Sequence, residues 1–269
     1  MEIAVLGPLS IRNNGVSVVP SAGKPRQILA LLALRAGRIV PVATLMEEAW
    51  GDDIPRSAAT TLQTYILQLR KKITSVLGAD SGESAKDVLA TSLGGYQLRA
   101  SRDRSDLAEF GRLATQGAAA LEAGNDQQAS DQLRRALALW RGPALVDVPV
   151  GRILSMEVLG MDEARMQVLE HRIEADLRLG MHTVLLGELR MLVAQHPMHE
   201  NLCAQLMLAL YRSGSPWRAL EVFRQLRATL REELGVEPSP RLQRLHRAVL
   251  ANDPALDLPG QSLLRQLAS

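Results

Sequence analysis

The sequence predicts a mainly α protein with a small β component: an N-terminal winged helix-turn-helix followed by an all-α, tetratricopeptide-like helical repeat domain. Two observations predict this. Strand-like alternation is confined to residues 1–20 and 88–100, with three helical patterns between them. From Asp106 onward the strand signals nearly vanish, and helical patterns follow one another with glycine or proline at the breaks. The composition agrees. Hydrophobic residues make up 46% of the chain and aromatics only 3%, so the core must come mainly from Leu, Ala, Val, Ile and Met.

The elements follow in order. "IAVLG" and "SVVP" flank the turn signal Asn13-Asn14-Gly15, a hairpin cue. "KPRQILALLALRA", residues 24–36, has helical spacing, tolerates Pro25 in its first turn and meets a stop at Gly37. "PVATLMEEAWG", Pro41 to Gly51, is a shorter helix with its own glycine stop. "TTLQTYILQLRKK", Thr60 to Lys72, is the third helix. After a loop rich in Gly, Ser, Ala and Asp over residues 78–86, "VLATSLGGYQLRA" reads as a hairpin turning at Gly94-Gly95. Strands, three helices and a hairpin is the order of a winged helix-turn-helix.

The second half reads as helices over 106–123, 127–141, 153–179, 182–195, 199–213, 216–234 and 239–250. Paired helices at this spacing resemble tetratricopeptide-type repeats, with Ala219 and Phe223 in the positions of a second repeat helix. Such repeats stack side by side and leave a concave surface. The expected organisation is a DNA-binding domain over residues 1–100, a polar hinge near 99–106, a helical domain over 106–252 and a loosely attached tail over 253–269.

Function is most legible in the third helix. On a helical wheel Leu62, Ile66, Leu69 and Ile73 share one arc, with Tyr65 and Ala58 at its edge; that arc is a core seam. Opposite lie Thr60, Thr64 and Lys71, flanked by Ser57, Gln63, Leu67 and Gln68. No acidic residue occurs between Arg56 and Ile73. A surface helix ordinarily mixes both signs of charge, so an acid-free face has a reason if its partner is a polyanion. The wider charge pattern agrees: residues 1–100 hold 11 basic and 8 acidic residues, and the rest of the chain holds 20 and 21.

Hydroxyl and amide side chains bond base edges, which makes Thr60, Thr61, Thr64 and Gln68 the candidate base-reading residues. A Thr methyl or Leu67 can touch a thymine methyl. Lys24, Arg26, Arg56, Arg70, Lys71 and Lys72 are the candidate phosphate contacts. The hairpin is expected to act as a wing, presenting Ser92, Gly94, Gly95 and Tyr96 to an adjacent groove. The expected partner is double-stranded DNA, promoter DNA on the resemblance given next.

These segments resemble a known family. "LGPLSI", "KPRQILALLALRAG", "TLQTYILQLRKK" and "LGGYQLRA" are similar to the OmpR-type winged-helix domain of the Streptomyces antibiotic regulatory protein family. "ALALWRGPALVDVP" and the run from His196 to Leu250 look like its second part, the bacterial transcriptional activation domain. "LGVEPSP", after "LREE", is the most specific segment. The resemblance implies an activator of a secondary-metabolite (antibiotic) gene cluster. It implies binding to direct repeats near the promoter −35 element, two protomers in tandem, and recruitment of RNA polymerase holoenzyme through its sigma factor. Two positions depart from the family pattern: Trp217, where an acidic or small polar residue is usual, and Arg241, where Glu or Ala is expected.

Other chemistry is not indicated. "SAGKPR", Ser21 to Arg26, lacks the spacing of a phosphate-binding loop, and there is no HExxH motif and no cysteine pair for zinc. Nothing assembles a nucleophile, a base and an orienting group, so no catalytic residue, cofactor or metal is expected. Cys203 lies inside the apolar helical pattern "LCAQLMLAL" and reads as a buried small hydrophobe. His196 and His199, around Pro197, read as a helix cap or solvent-facing pair. Glu157, Glu163 and Glu170 read as solvated charges with Arg partners. No run approaches the roughly 18–20 apolar residues of a membrane span, and with a lone cysteine a cytoplasmic location is expected. The alternative to a DNA-binding activator is an interaction scaffold or ligand sensor built on the helical repeat, with DNA contact secondary.

Overall fold

A computed structural model of the chain describes residues 1–77, 83–100 and 104–257. Part of the expected loop (78–82), part of the expected hinge (101–103) and most of the expected tail (from 258) lie outside the described residues. The chain divides into two compact units. One comprises residues 1–113 and 135–166, and the other residues 114–134 and the chain from Gln167 onward.

The first unit begins with strands β1 (Glu2–Ala4), β2 (Ser10–Asn13) and β3 (Val16–Ser17), antiparallel in that order. Asn14 (φ 48°) and Gly15 (φ 79°) both take left-handed conformations, as a two-residue hairpin turn twisted to match its strands requires. The arms of this hairpin are β2 and β3. "IAVLG" supplies β1 instead, which pairs along the other edge of β2 with Ile3 opposite Ile11.

Three helices follow: α1 (Gly23–Leu34), α2 (Val42–Trp50) and α3 (Ala58–Thr74). α1 is buried from Gln27 to Ala33, as its nearly continuous apolar run demands. Two residues before α2 form β4 (Val40–Pro41), a strand too short to announce itself in sequence. β4 pairs with β6 (Gly95–Leu98), which pairs in turn with β5 (Leu89–Ser92), giving the order β4-β6-β5. The hairpin turn is Leu93-Gly94, with Gly94 at φ 76°. Gly95 is already in β6, and a Cβ there would run into the Val40 carbonyl. The single helical turn α4 (Ala85–Val88) precedes β5, closed by a reciprocal cap between Ser84 and Asp87.

Residues far along the chain complete this unit. The first residue of α5 (Asp106–Glu122) accepts hydrogen bonds from Val5 N (2.8 Å) and Leu6 N (3.0 Å) through its carboxylate. Asp147 Oδ1 accepts from Leu9 N at 2.7 Å. Glu48 on α2, 2% exposed, accepts from the amides of Gly151 (2.6 Å), Ile153 (2.9 Å) and Leu154 (2.9 Å). It thereby satisfies the open N-terminus of α7 (Arg152–Arg178), where a carboxylate also meets a favourable dipole. Gly151 fits there because a Cβ would collide with the Glu48 backbone.

The second unit contains most of α6 (Asp126–Ala138), the C-terminal part of α7, and α8 (His182–Gln195), α9 (Glu200–Arg212), α10 (Pro216–Leu234) and α11 (Pro240–Leu250). α8 packs on α9, α9 on α10 and α10 on α11, the side-by-side stacking of a helical repeat. α9 is buried from Leu202 to Leu210 on every face, so it is the hub of this unit. Asp176, fully buried, accepts from Ser130 Oγ (2.6 Å), Arg134 Nη2 (2.6 Å) and Arg172 Nη1 (3.1 Å), so its charge is matched from two helices.

"LGVEPSP" has a local physical account. Gly235, at φ 69°, ends α10 in the left-handed conformation. Glu237 then accepts from Arg227 Nε at 2.6 Å. Ser239 caps α11, with Pro240 in its first turn, and the Ser239 amide donates to Glu200 at 3.0 Å. Beyond α11, Pro254–Asp257 form a 3₁₀ turn with Leu256 buried and its carbonyl bonded to Arg212. His199 caps α9 through Nδ1, the capping role expected for it. Glu157 meets Arg35 at 3.4 Å. Glu170 departs from expectation: it is half-buried and serves Asn201 and His199, at the start of α9, rather than an arginine.

Candidate nucleic-acid interface

α3 is held by the seam its spacing predicts. Ala58, Leu62, Ile66, Leu69 and Ile73 are buried. Tyr65, half-buried, stacks on Trp50 of α2 with ring centroids 6.1 Å apart, and the Lys24 ammonium sits 4.8 Å from the same indole. With one face fixed in this way, the other is fixed by elimination.

That outer face carries Thr60, Thr64, Leu67, Gln68 and Lys71, all exposed, with Lys72 exposed beside them and Arg56 exposed in the preceding turn. Among the described residues no ion pair involves Arg56, Lys71 or Lys72 within 4 Å. The structure therefore brings together most of the predicted base-reading set and three of the predicted phosphate contacts. Thr61 lies at the margin, half-buried, and its hydroxyl donates to Ser57 O at 2.9 Å.

Other predicted residues are engaged within the fold. The Arg70 guanidinium donates to Leu89 O (3.0 and 2.8 Å) and to Thr91 Oγ1 (2.8 Å), tying α3 to β5. Arg26 donates to Pro20 O at 3.0 Å and to Asp147 O at 2.8 Å, and pairs with the Asp147 carboxylate at 3.2 Å. In the wing, Ser92 ends β5 half-buried and Gly94 is exposed at the turn, while Gly95 and Tyr96 are buried in the sheet. The exposed apolar tip is Leu93, 103% exposed, which the glycine pattern drew attention away from. Arg70 reaches Leu89 across 19 residues and Arg26 reaches Asp147 across 121, and no local pattern reveals such partners.

Among the described residues no group of three or more His, Cys, Asp or Glu side chains could hold a metal ion. Burial, and then the nearby Glu200 charge, push the Cys203 thiol up to about 12, so it stays protonated and inert. Among the described residues no helix is long and apolar enough to cross a membrane. The second unit does contain an open groove of about 440 Å³, lined by Pro197, Leu206, Leu210, Trp217, Val222 and Leu226 among others. Trp217 is 63% exposed there, with the Arg218 guanidinium 5.1 Å from its ring.

Comparison with known proteins bears on both units. The family described as bacterial transcriptional activator domain matches residues 105–250, and that described as transcriptional regulatory protein, C terminal, matches residues 17–98. The regulatory protein DnrI of Streptomyces peucetius is 55% identical, over 97% of this chain and 96% of its own length. The transcriptional regulator RedD of Streptomyces coelicolor is 39% identical, over 96% of this chain and 73% of its own length. A solved structure of Mycobacterium tuberculosis EmbR in complex with a low affinity phosphopeptide superimposes with a TM-score of 0.88 at 31% identity. It covers 99% of this chain and 69% of that one.

Proposed function

The chain belongs to the Streptomyces antibiotic regulatory protein family and is a transcriptional regulator, and from that premise we propose that it binds promoter DNA sequence-specifically and activates a secondary-metabolite gene cluster. Residues 1–100 carry the DNA-binding function, with α3 in the major groove and the β5–β6 hairpin along an adjacent one. Thr60, Thr64 and Gln68 face bases, Thr61 lies at their edge, and Arg56, Lys71 and Lys72 face phosphates. Two protomers bind direct repeats near the −35 element, in the cytoplasm. Residues 106–252 recruit RNA polymerase holoenzyme through its sigma factor.

The observation that carries this reading is the exposed, acid-free outer face of α3, where Lys71 and Lys72 have no anionic partner among the described residues. An unpaired cation on a rigid helix is available to a phosphate at little reorganisation cost. The test is salt-dependent binding to promoters of the neighbouring gene cluster, located by footprinting with and without holoenzyme. Lys71→Ala should weaken binding and reduce the salt slope by about one. Unchanged affinity and slope would remove Lys71 from the interface. A second reading, the helical repeat as a ligand or peptide sensor, draws support from the groove beside Trp217. It gives no reason for the acid-free face of α3.

A further inference from the structure

We propose that Leu67 is a specificity-determining residue of α3 that reads the 5-methyl group of a thymine in the major groove. The inference rests on the DNA-binding reading above and deepens it. Leu67 is 54% exposed. By helical spacing it flanks the row of Thr60, Thr64 and Lys71, three residues after Thr64 and four before Lys71, so it neighbours both on the outer face. The seam behind it is complete without it: Leu62, Ile66, Leu69 and Ile73 are already buried. The fold alone therefore gives no reason for an isobutyl group at this point.

Its neighbours sharpen the chemistry. The Thr64 hydroxyl donates to Thr60 O at 3.1 Å, and Thr61 donates to Ser57 O at 2.9 Å. A hydroxyl whose proton is held by the helix backbone offers a base only its acceptor lone pairs. Beside Leu67 the Thr64 hydroxyl thus has no proton to offer a base, and Leu67 adds an exposed apolar group there. Adenine, guanine and cytosine present polar groups at their major-groove edges, whereas thymine presents a methyl beside its O4. Thymine is the base whose edge Leu67 complements. Lys71, one turn on, is placed to fix the helix against the backbone while Leu67 makes that contact.

The experiment uses the full chain and duplexes enriched from a random-sequence pool. Each thymine of the enriched site is replaced in turn by deoxyuridine, which removes one methyl and nothing else. The wild type should lose about fourfold in affinity at one thymine of each half-site, the worth of one buried methyl. Leu67→Ala should bind the thymine and deoxyuridine versions of that position equally well. Its thermal unfolding should match the wild type, because the side chain lies outside the core. If deoxyuridine leaves wild-type affinity unchanged at every position, or if Leu67→Ala keeps the full penalty, Leu67 does not read thymine, and DNA binding stands without it. If no sequence is enriched, the DNA-binding reading itself fails, and the inference falls with it.

Discussion

α3 and α10 are built alike and finished differently. Each is long and amphipathic, with a buried seam: Leu62, Ile66, Leu69 and Ile73 in one, Ala219, Phe223, Leu226 and Leu230 in the other. Each carries several basic residues. On α10 three of the four are matched: Arg224 meets Glu221 at 3.0 Å, and Arg227 and Arg231 meet Glu237 at 2.6 and 3.4 Å, while Arg218 lies over the Trp217 ring. On α3 Arg70 is drawn into the fold, while Lys71 and Lys72 form no ion pair among the described residues. Exposed pairs add little stability, so pairing does not explain why α10 folds. What pairing changes is the field at the surface. A matched cation offers a phosphate little, and an unmatched one offers its full charge. On the proposed reading, local pairing marks a polyanion site better than a count of basic residues does.

The largest effect should separate seam from face. Ile66→Ala in α3 and Leu226→Ala in α10 should each cost about 2–5 kcal/mol, because each leaves a cavity in a packed core. Chemical denaturation measures both. Leu67→Ala, by contrast, should leave the unfolding midpoint where it is. A cost for Leu67→Ala equal to that of Ile66→Ala would place Leu67 in the core and dissolve the distinction between the faces of α3.

Arg70 tests whether pairing into the fold and availability to DNA exclude each other. Arg70→Gln removes charge-assisted bonds to Leu89 O and Thr91 Oγ1, and should lower stability by roughly 1–3 kcal/mol. The salt slope of DNA binding should stay that of the wild type. A slope reduced by about one would mean that Arg70 leaves β5 for a phosphate when DNA is bound.

Charge reversal then compares the two helices directly. Lys71→Glu with Lys72→Glu should weaken DNA binding by at least about tenfold at moderate salt, with the unfolding midpoint unchanged. Arg224→Glu with Arg231→Glu on α10 should leave DNA affinity within about twofold. Equal losses from both pairs would show that net charge, and not local pairing, governs binding.

What the sequence revealed follows the range of the interactions involved. The α3 seam was legible because its cause is a spacing of three and four residues within one helix. The β2–β3 turn was legible because Asn14 and Gly15 tolerate left-handed backbone. The cap that Glu48 places on α7 was not, since its partners lie more than 100 residues away. Nor was the fold's use of Arg26 and Arg70, because an arginine shows its charge in sequence but not its acceptor. Tyr96 shows the same limit: a glycine pair drew attention to the turn, but pairing with β4 decides that the ring faces inward.

The smallest effect concerns protons. His246 on α11 stacks on Phe223 of α10 at 3.9 Å, with Arg227, Glu237 and Arg247 lining the same cleft. Burial first, and then the charges of Arg227 and Arg224, hold its imidazole below the ordinary histidine range. The folded protein therefore binds this proton less readily than the unfolded chain does. Its stability contribution is present above the ordinary imidazole range and is lost as pH falls through the depressed value. The denaturation midpoint should drop between about pH 7 and about pH 5, and His246→Gln should remove part of that drop. The difference should stay below about 1 kcal/mol, because the ring is only partly buried and solvent screens the arginines. The informative quantity is the wild-type slope minus the variant slope. α3 carries no histidine, so His246→Gln should leave the pH dependence of DNA affinity untouched over the same interval. A shared change in stability and affinity would mean that the α10–α11 cleft and the α3 face are energetically coupled, and the two helices could no longer be compared as independent surfaces.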